Sequence, residues 1–296
     1  MRITNQMITR NVLSDLNSTA ARLDKTRAKG SSGKEITRPS DDPFAAAQAL
    51  KLRESVDATR QQQRNAKDAI GWQDVTEQAL AQINEATHRI RDLVVQGGTD
   101  TVDPVSRKAL AGEVNQLIET VKEHGNANYA GSYVFAGTDT TVRPFPPGTP
   151  DAYAGNDGAV AREIGPGVSL VINQPGSKVL GTGAAGDLLG VLRGIASHLT
   201  TGDTASLRGS DLSALDAKLD TLSGVRAENG AGSNRIESAL SRLAQLEETT
   251  SKQLSETEDA DFAKTMIDLN SQQAAYQAAL QSGAKIVQSS LMDFLR

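Results

Sequence analysis

The sequence predicts a mainly α chain: an elongated helical bundle or coiled coil formed by both chain ends, with a small β-rich domain inserted in the middle. Three observations carry this prediction. All nine prolines lie between Pro39 and Pro175, and because proline breaks helix interiors, the intervals 1–38, 44–103 and 176–296 are free for long helices. Apolar residues in those intervals recur in steps of three and four. Between Ala130 and Leu180 the period changes to two, with Gly- and Pro-rich turns between the runs. Only 3% of the 296 residues are aromatic, too few for one thick core, in which aromatics supply much of the buried area.

The first helix carries an apolar stripe at Leu13, Leu16, Ala20 and Leu23. The second starts at Asp42-Pro43, an N-cap followed by proline at the first helical position, and stops at Gly97-Gly98. Some 55 residues at 1.5 Å each make it about 80 Å long. Its seam runs Ala69, Trp72, Thr76, Ala79, Ile83, Ala86, Ile90, Leu93, a heptad pattern. Asp103-Pro104 repeats the start signal for a shorter helix with Leu110, Val114, Leu117, Ile118 and Val121, ending at Gly125.

Tyr133 to Ala136 then reads as a strand, and Pro144 to Pro150 as a stiff connector. Turns at Gly155–Gly158, Gly165–Gly167 and Pro175-Gly176 separate short strand candidates, of which Val168–Ile172 alternates most cleanly. Helical pattern resumes at Asp187. From Asp211 to Leu254 it carries Leu215, Leu219, Leu222, Ile236, Leu240, Leu243, Leu246 and Leu254, with Gly224, Gly230 and Gly232 as weak points. The last segment alternates by four and three through Phe262, Met266, Leu269, Gln273, Tyr276, Leu280, Gly283, Val287, Ser290 and Phe294. Both chain ends are thus amphipathic helices that need partners. The expected division is a terminal coiled-coil layer from 1–40 and 256–296, a helix bundle from 41–137 and 187–255, and a β-rich domain at 138–186.

Chemical signals are few. The chain has no cysteine, which excludes disulfides, cysteine-ligated metals and a thiol nucleophile. Gly181-Thr182-Gly183-Ala184-Ala185-Gly186 is a literal G-x-G-x-x-G with Asp203 about 20 residues on, but it lacks a buried lead-in strand and reads as a loop. His88, His124 and His198 share no metal-ligand spacing and read as solvated. Asp41-Asp42 reads as capping chemistry before Pro43, not as an acid/base pair. No catalytic, cofactor or metal residue is expected, and no enzymatic activity.

Charge is polarised between the ends. Residues 1–35 hold seven Lys/Arg against three Asp/Glu, whereas 247–268 hold seven Asp/Glu against two Lys. The basic stretch lacks interleaved aromatics, and the whole chain is acidic at −5, so nucleic acid is a poor partner. Pairing between the two terminal regions is the economical account. No apolar run approaches the roughly 20 residues that cross a bilayer, and Met1 to Asn11 lacks the apolar core of a secretory signal.

Several stretches resemble the flagellin superfamily and, within it, the family of hook-filament junction proteins. The opening Met1-Arg2-Ile3-Thr4-Asn5-Gln6-Met7 is similar to the superfamily's start. Ser31-Ser32-Gly33-Lys34-Glu35-Ile36-Thr37-Arg38-Pro39-Ser40-Asp41-Asp42-Pro43 resembles its signature, in which flagellins proper usually have alanine at the last position. Gly131-Ser132-Tyr133-Val134-Phe135-Ala136-Gly137 is similar to a motif of the junction proteins. Glu258-Asp259-Ala260-Asp261-Phe262-Ala263 and Phe294-Leu295-Arg296 match the acidic segment before the last helix and the chain terminus.

The resemblance implies a structural protein that assembles through its terminal helices into a tubular homo-oligomeric layer. That layer joins the hook, through hook-associated protein 1, to the flagellin filament. It implies export through the flagellar type III channel without a cleaved signal peptide, to the extracellular flagellum, escorted by an export chaperone. On this reading Leu13, Leu16, Leu23, Phe262, Met266, Leu269, Tyr276, Leu280, Val287 and Phe294 serve assembly. Leu280, Val287, Leu291 and Phe294 serve the chaperone. A flagellin filament subunit is the alternative, and a cytoplasmic coiled-coil scaffold a more distant one.

Overall fold

The computed structural model describes residues 5–294, with side chains at Met7 and from Arg10 to Lys285. The elements are α1 (Asn5–Ser32), α2 (Pro43–Gly97), α3 (Pro104–Gly125), β1 (Asn128–Tyr129), β2 (Ser132–Tyr133), β3 (Ala161–Gly165), β4 (Val168–Val171), α4 (Gly176–Val179) and α5 (Leu188–Thr201). A short turn α6 (Thr204–Ser206) then passes through a π-helical turn at Leu207–Asp211 into α7 (Leu212–Glu258), and α8 (Phe262–Phe294) follows. The residues form two compact units: one from those up to 58 together with those from 246 onward, the other from 59–245.

Helix boundaries follow local chemistry. Asp42 Oδ1 accepts from the N–H groups of Phe44 and Ala45, and Asp103 Oδ1 from those of Val105 and Ser106, each satisfying the orphan donors of a first turn. Helix α5 ends on Gly202 in the left-handed conformation, as a Gly C-cap does. The predicted weak points in α7 do not break it. Gly224 and Gly230 face open space, and at Gly232 an added Cβ would stand 2.6 Å from Gln73 Nε2, so this glycine is a notch for a neighbouring side chain.

In the second unit every residue of the heptad seam from Ala69 to Leu93 is buried. Helix α7 runs antiparallel to α2: Gln73 meets Asn229, Glu77 meets Arg226, and Arg91 meets Asp216. Val114, Ile118 and Val121 of α3 join Leu189, Leu192, Ile195 and Leu199 of α5 in the same core. The one tryptophan, Trp72, lies edge-on to Tyr129, ring centres 6.2 Å apart.

The middle region holds less strand than the alternation predicts. Two antiparallel pairs form, β1 with β2 and β3 with β4. The β3–β4 hairpin turns at Pro166-Gly167, with Gly167 at φ +68°. Val134, Phe135 and Ala136 are fully buried, but their backbone groups bond to scattered partners instead of a ladder. Phe135 C=O accepts from Gly176 N–H and the Tyr153 hydroxyl, and Ala136 C=O from Asn156 N–H. The prolines at 144, 146, 147 and 150 supply no ladder donors, so the segment before Gly155 forms no strand. Residues 176–179 form a helical turn after the predicted turn at Pro175-Gly176.

The Pro-rich connector is held by charge. Lys122, fully buried, donates to the Gly148 carbonyl and lies 2.9 Å from Asp151 Oδ1. Arg193 of α5 grips both oxygens of Asp151, at 2.7 and 3.1 Å, and reaches Glu119 at 2.8 Å.

Candidate assembly surface

In the first unit α1 lies antiparallel to α8. A Cβ at Gly283 would come within 2.9 Å of Val12 Cγ1, and one at Gly30 would stand 3.6 Å from Thr265 Cγ2. The two contacts are 18 residues apart on both helices (30 − 12 and 283 − 265), so the pairing keeps one register along its length. It is thin: within α1 and α8, only Thr19, Thr265 and Gly283 are buried among the residues with described side chains.

The apolar side chains singled out in the sequence therefore stand only partly covered. Leu16, Leu23, Leu269 and Tyr276 are half-buried. Leu13, Phe262, Met266 and Leu280 are exposed, Phe262 at 66%. Ile267, which falls outside the four-three alternation, is also exposed. The side chains of Val287, Leu291 and Phe294 lie outside the described residues.

Between α1 and α2 the loop from Gly33 to Asp42 is tied to the junction of α7 and α8. Glu35 N–H donates to the Glu258 carbonyl, and Ala260 N–H to the Gly33 carbonyl. Glu258, 5% exposed, pairs with Lys34 and Arg53. The opposite charges of the two terminal regions meet here, within one chain, as the charge distribution predicts. Asp41 accepts from the Thr37 hydroxyl and the Arg38 N–H and pairs with Lys25 at 3.0 Å. The bond to Lys25, with those to Thr37 and Arg38, holds its carboxyl below the usual carboxylate range. Both aspartates of the Asp41-Asp42 pair thus fix backbone, one the loop and one the helix start.

Other chemical candidates resolve structurally. In the 181–186 loop, Gly181 and Gly183 have positive φ, and Asp187 Oδ2 accepts from Thr182 and Ala184 N–H and the Thr182 hydroxyl. Burial raises the Asp187 pKa, but those bonds outweigh it and hold the group below its ordinary range. Two of the loop's N–H groups are thus taken by the chain's own carboxylate, and a helical turn, not a parallel strand, precedes it. His198 departs from the solvated reading: its Nδ1 lies 2.7 Å from Asp211 Oδ2, a buried residue at the end of the π-helical turn. Among the described residues no group of His, Cys, Asp or Glu could hold a metal ion, and no helix is long and apolar enough to cross a membrane.

The profile of the bacterial flagellin N-terminal helical region matches residues 3–140, and that of the C-terminal helical region matches residues 212–295. The chain belongs to the flagellin family. Among its relatives, flagellar hook-associated protein 3 of Escherichia coli is 25% identical, over 95% of this chain and 96% of that one. A flagellin of Bacillus subtilis is 27% identical over 94% of each chain. The solved structure of a putative flagellar hook-associated protein from Vibrio parahaemolyticus superposes with a TM-score of 0.68 at 19% identity. It covers 74% of this chain and 100% of that one, which places the fold. In this flagellin-family chain the helical ends fall within the two matched profiles, and the β hairpin β3–β4 lies between them.

Proposed function

We propose that this chain is a structural subunit of the bacterial flagellum that forms the junction layer between hook and filament. The observation that carries the reading is its similarity to the Escherichia coli hook-associated protein along nearly the full length of both chains. The Gly131–Gly137 segment supports it, since the motif that resembles junction proteins is the buried seat on which Tyr153 and Gly176 converge. The partners are further copies of the chain, hook-associated protein 1 and flagellin, and the work is mechanical, with no turnover.

The terminal layer, 1–40 and 256–296, serves assembly through Leu13, Leu16, Leu23, Phe262, Met266, Leu269, Tyr276 and Leu280, with Val287 and Phe294 further along α8. Thinly covered apolar side chains on an α1–α8 pair are what a subunit that completes its core against neighbours needs. The chain is exported to the extracellular flagellum, and a chaperone shields Leu280, Val287, Leu291 and Phe294 beforehand.

A filament subunit is the second reading, favoured by the likeness to the Bacillus subtilis flagellin. Deleting the gene separates the two. Loss of filaments with hooks intact and flagellin shed into the medium is the expected result; cells that lack flagellin itself but still cap their hooks with the other junction proteins would overturn the junction reading.

A further inference from the structure

The loop from Gly33 to Asp42 and the first turns of α2 enclose a cleft of about 280 Å³. Its walls are apolar, formed by Ile36, Pro39, Ala46, Ala49 and Leu50, and its rim is cationic, formed by Lys34, Arg38 and Arg53. One buried carboxylate, Glu258, serves both Lys34 and Arg53. Arg38 makes no ion pair among the described residues. The rim therefore keeps an excess of positive charge. The volume falls just below the range of small-molecule pockets, about 300–1,000 Å³, and suits a single large side chain.

The same unit carries a side chain of complementary character. Phe262 opens α8 and is exposed, and two acidic residues, Asp259 and Asp261, stand just before it. Asp259 accepts from the Ser255 hydroxyl and Asp261 from Lys264 N–H, and neither pairs with a cation among the described residues. Phe262 is thus an aromatic knob with acidic residues on its N-terminal side, and the cleft is an apolar socket with a basic rim. Charge complementarity of this kind fixes the register of a contact, and a buried aromatic anchor supplies its strength.

We infer that Phe262 of one copy seats in the Ile36–Pro39–Leu50 cleft of a neighbouring copy, with Asp259 and Asp261 facing Arg38 and Arg53. The inference rests on the chain's being a self-assembling subunit and names the contact. Knob and socket are different surfaces, so each copy gives one and receives one, the heterologous arrangement that closes into rings or winds into tubes. Glu258 lines the socket and lies four residues before the knob, so the two surfaces flank the same α7–α8 corner and join copies side by side at that level.

The absence of cysteine makes the test clean. Phe262→Cys and Leu50→Cys chains are produced together in cells lacking the native chain, and isolated flagella are treated with a short bis-maleimide. The expected product is a species of twice the chain mass, absent from either variant alone and from a Phe262→Cys with Val105→Cys control. Filaments that form without that product overturn the contact and leave the junction reading standing. In solution, self-association of the full chain is measured by sedimentation. Phe262→Ala weakens it about thirty-fold, the ratio that corresponds to an anchor residue, and Phe262→Tyr retains it. Equal association of Phe262→Ala and the native chain, or a native chain that stays monomeric and gives no mixed cross-link, overturns the inference.

Discussion

Gly283 of α8 faces Val12 of α1 so closely that a Cβ would lie 2.9 Å from the valine Cγ1. Valine is stiff at χ1 and cannot swing aside freely, so Gly283→Ala weakens the α1–α8 pairing although alanine favours a helix by about 1 kcal/mol over glycine. We expect a net loss of about 1 kcal/mol, since overpacking costs about 1–3 kcal/mol. Gly224→Ala is the matched control: its site is open, and the second unit should gain about 0.5–1 kcal/mol. Amide exchange in α1 reads the first change, and denaturation followed by Trp72 fluorescence reads the second.

Glu258→Gln removes the carboxylate that Lys34 and Arg53 share. Both cations are partly exposed, so water recovers much of the loss, and the expected cost is about 1–2 kcal/mol, well short of a fully buried pair. The backbone bonds from Glu35 and Ala260 persist. Faster exchange at Lys34 to Ile36 with an unchanged second unit is the expected pattern; unaltered exchange there would show that the carboxylate holds nothing in place.

Asp151 gives the Pro-rich connector an acid-sensitive latch. Burial pushes its carboxyl up, but the hydrogen bonds and charges of Arg193 and Lys122 outweigh this and hold it below the usual range. A carboxyl depressed on folding contributes stability that is present above its unfolded value, about 3.9, and is lost as pH falls through the folded value. Asp151→Asn should therefore cost about 3 kcal/mol at neutral pH, because Lys122 stays buried with the nearer of its two carboxylates gone. The gap from the native chain should close below about pH 3.9. Urea titrations across that range, read by Trp72, measure it.

Leu280→Lys should leave the folded monomer intact, since Leu280 is exposed there. A charge placed in an apolar seam is costly to bury, so assembly and chaperone affinity should each fall at least about ten-fold, the equivalent of about 1.4 kcal/mol. Unchanged chaperone binding by calorimetry would remove Leu280 from that site.

Most helices were legible because their punctuation is local. Asp42-Pro43, Asp103-Pro104 and Asp187 start helices, Gly97 and Gly125 end them, and the Ala69–Leu93 seam is buried throughout. The strand reading misled at Val134–Ala136, where three consecutive apolar residues are buried by convergent loops and not by a ladder. Lys122 was missed although it sits on the buried face of α3 with Ile118, Val121 and Gly125. A lysine in such a stripe signals a distant carboxylate, but the one that meets it most closely, Asp151, comes 29 residues later (151 − 122), beyond the Pro-rich connector. The Glu258 hub was equally hidden, because one acid among many in the segment 247–268 bears no mark of being buried. The exposed seam positions were legible as apolar and periodic, whereas their degree of exposure depends on α1 alone covering α8.

The unit built from both chain ends has an order of events written into its topology. Residues 59–245 are contiguous and can fold as soon as they are free together. Helix α1 must wait for α8, whose first residue lies 230 positions after α1's last (262 − 32). Contacts so distant in sequence form late, so α1 and α8 meet only after almost the whole chain has become available. The α1–α8 pairing is thus the last step in the folding of the chain, later than any contact within residues 59–245.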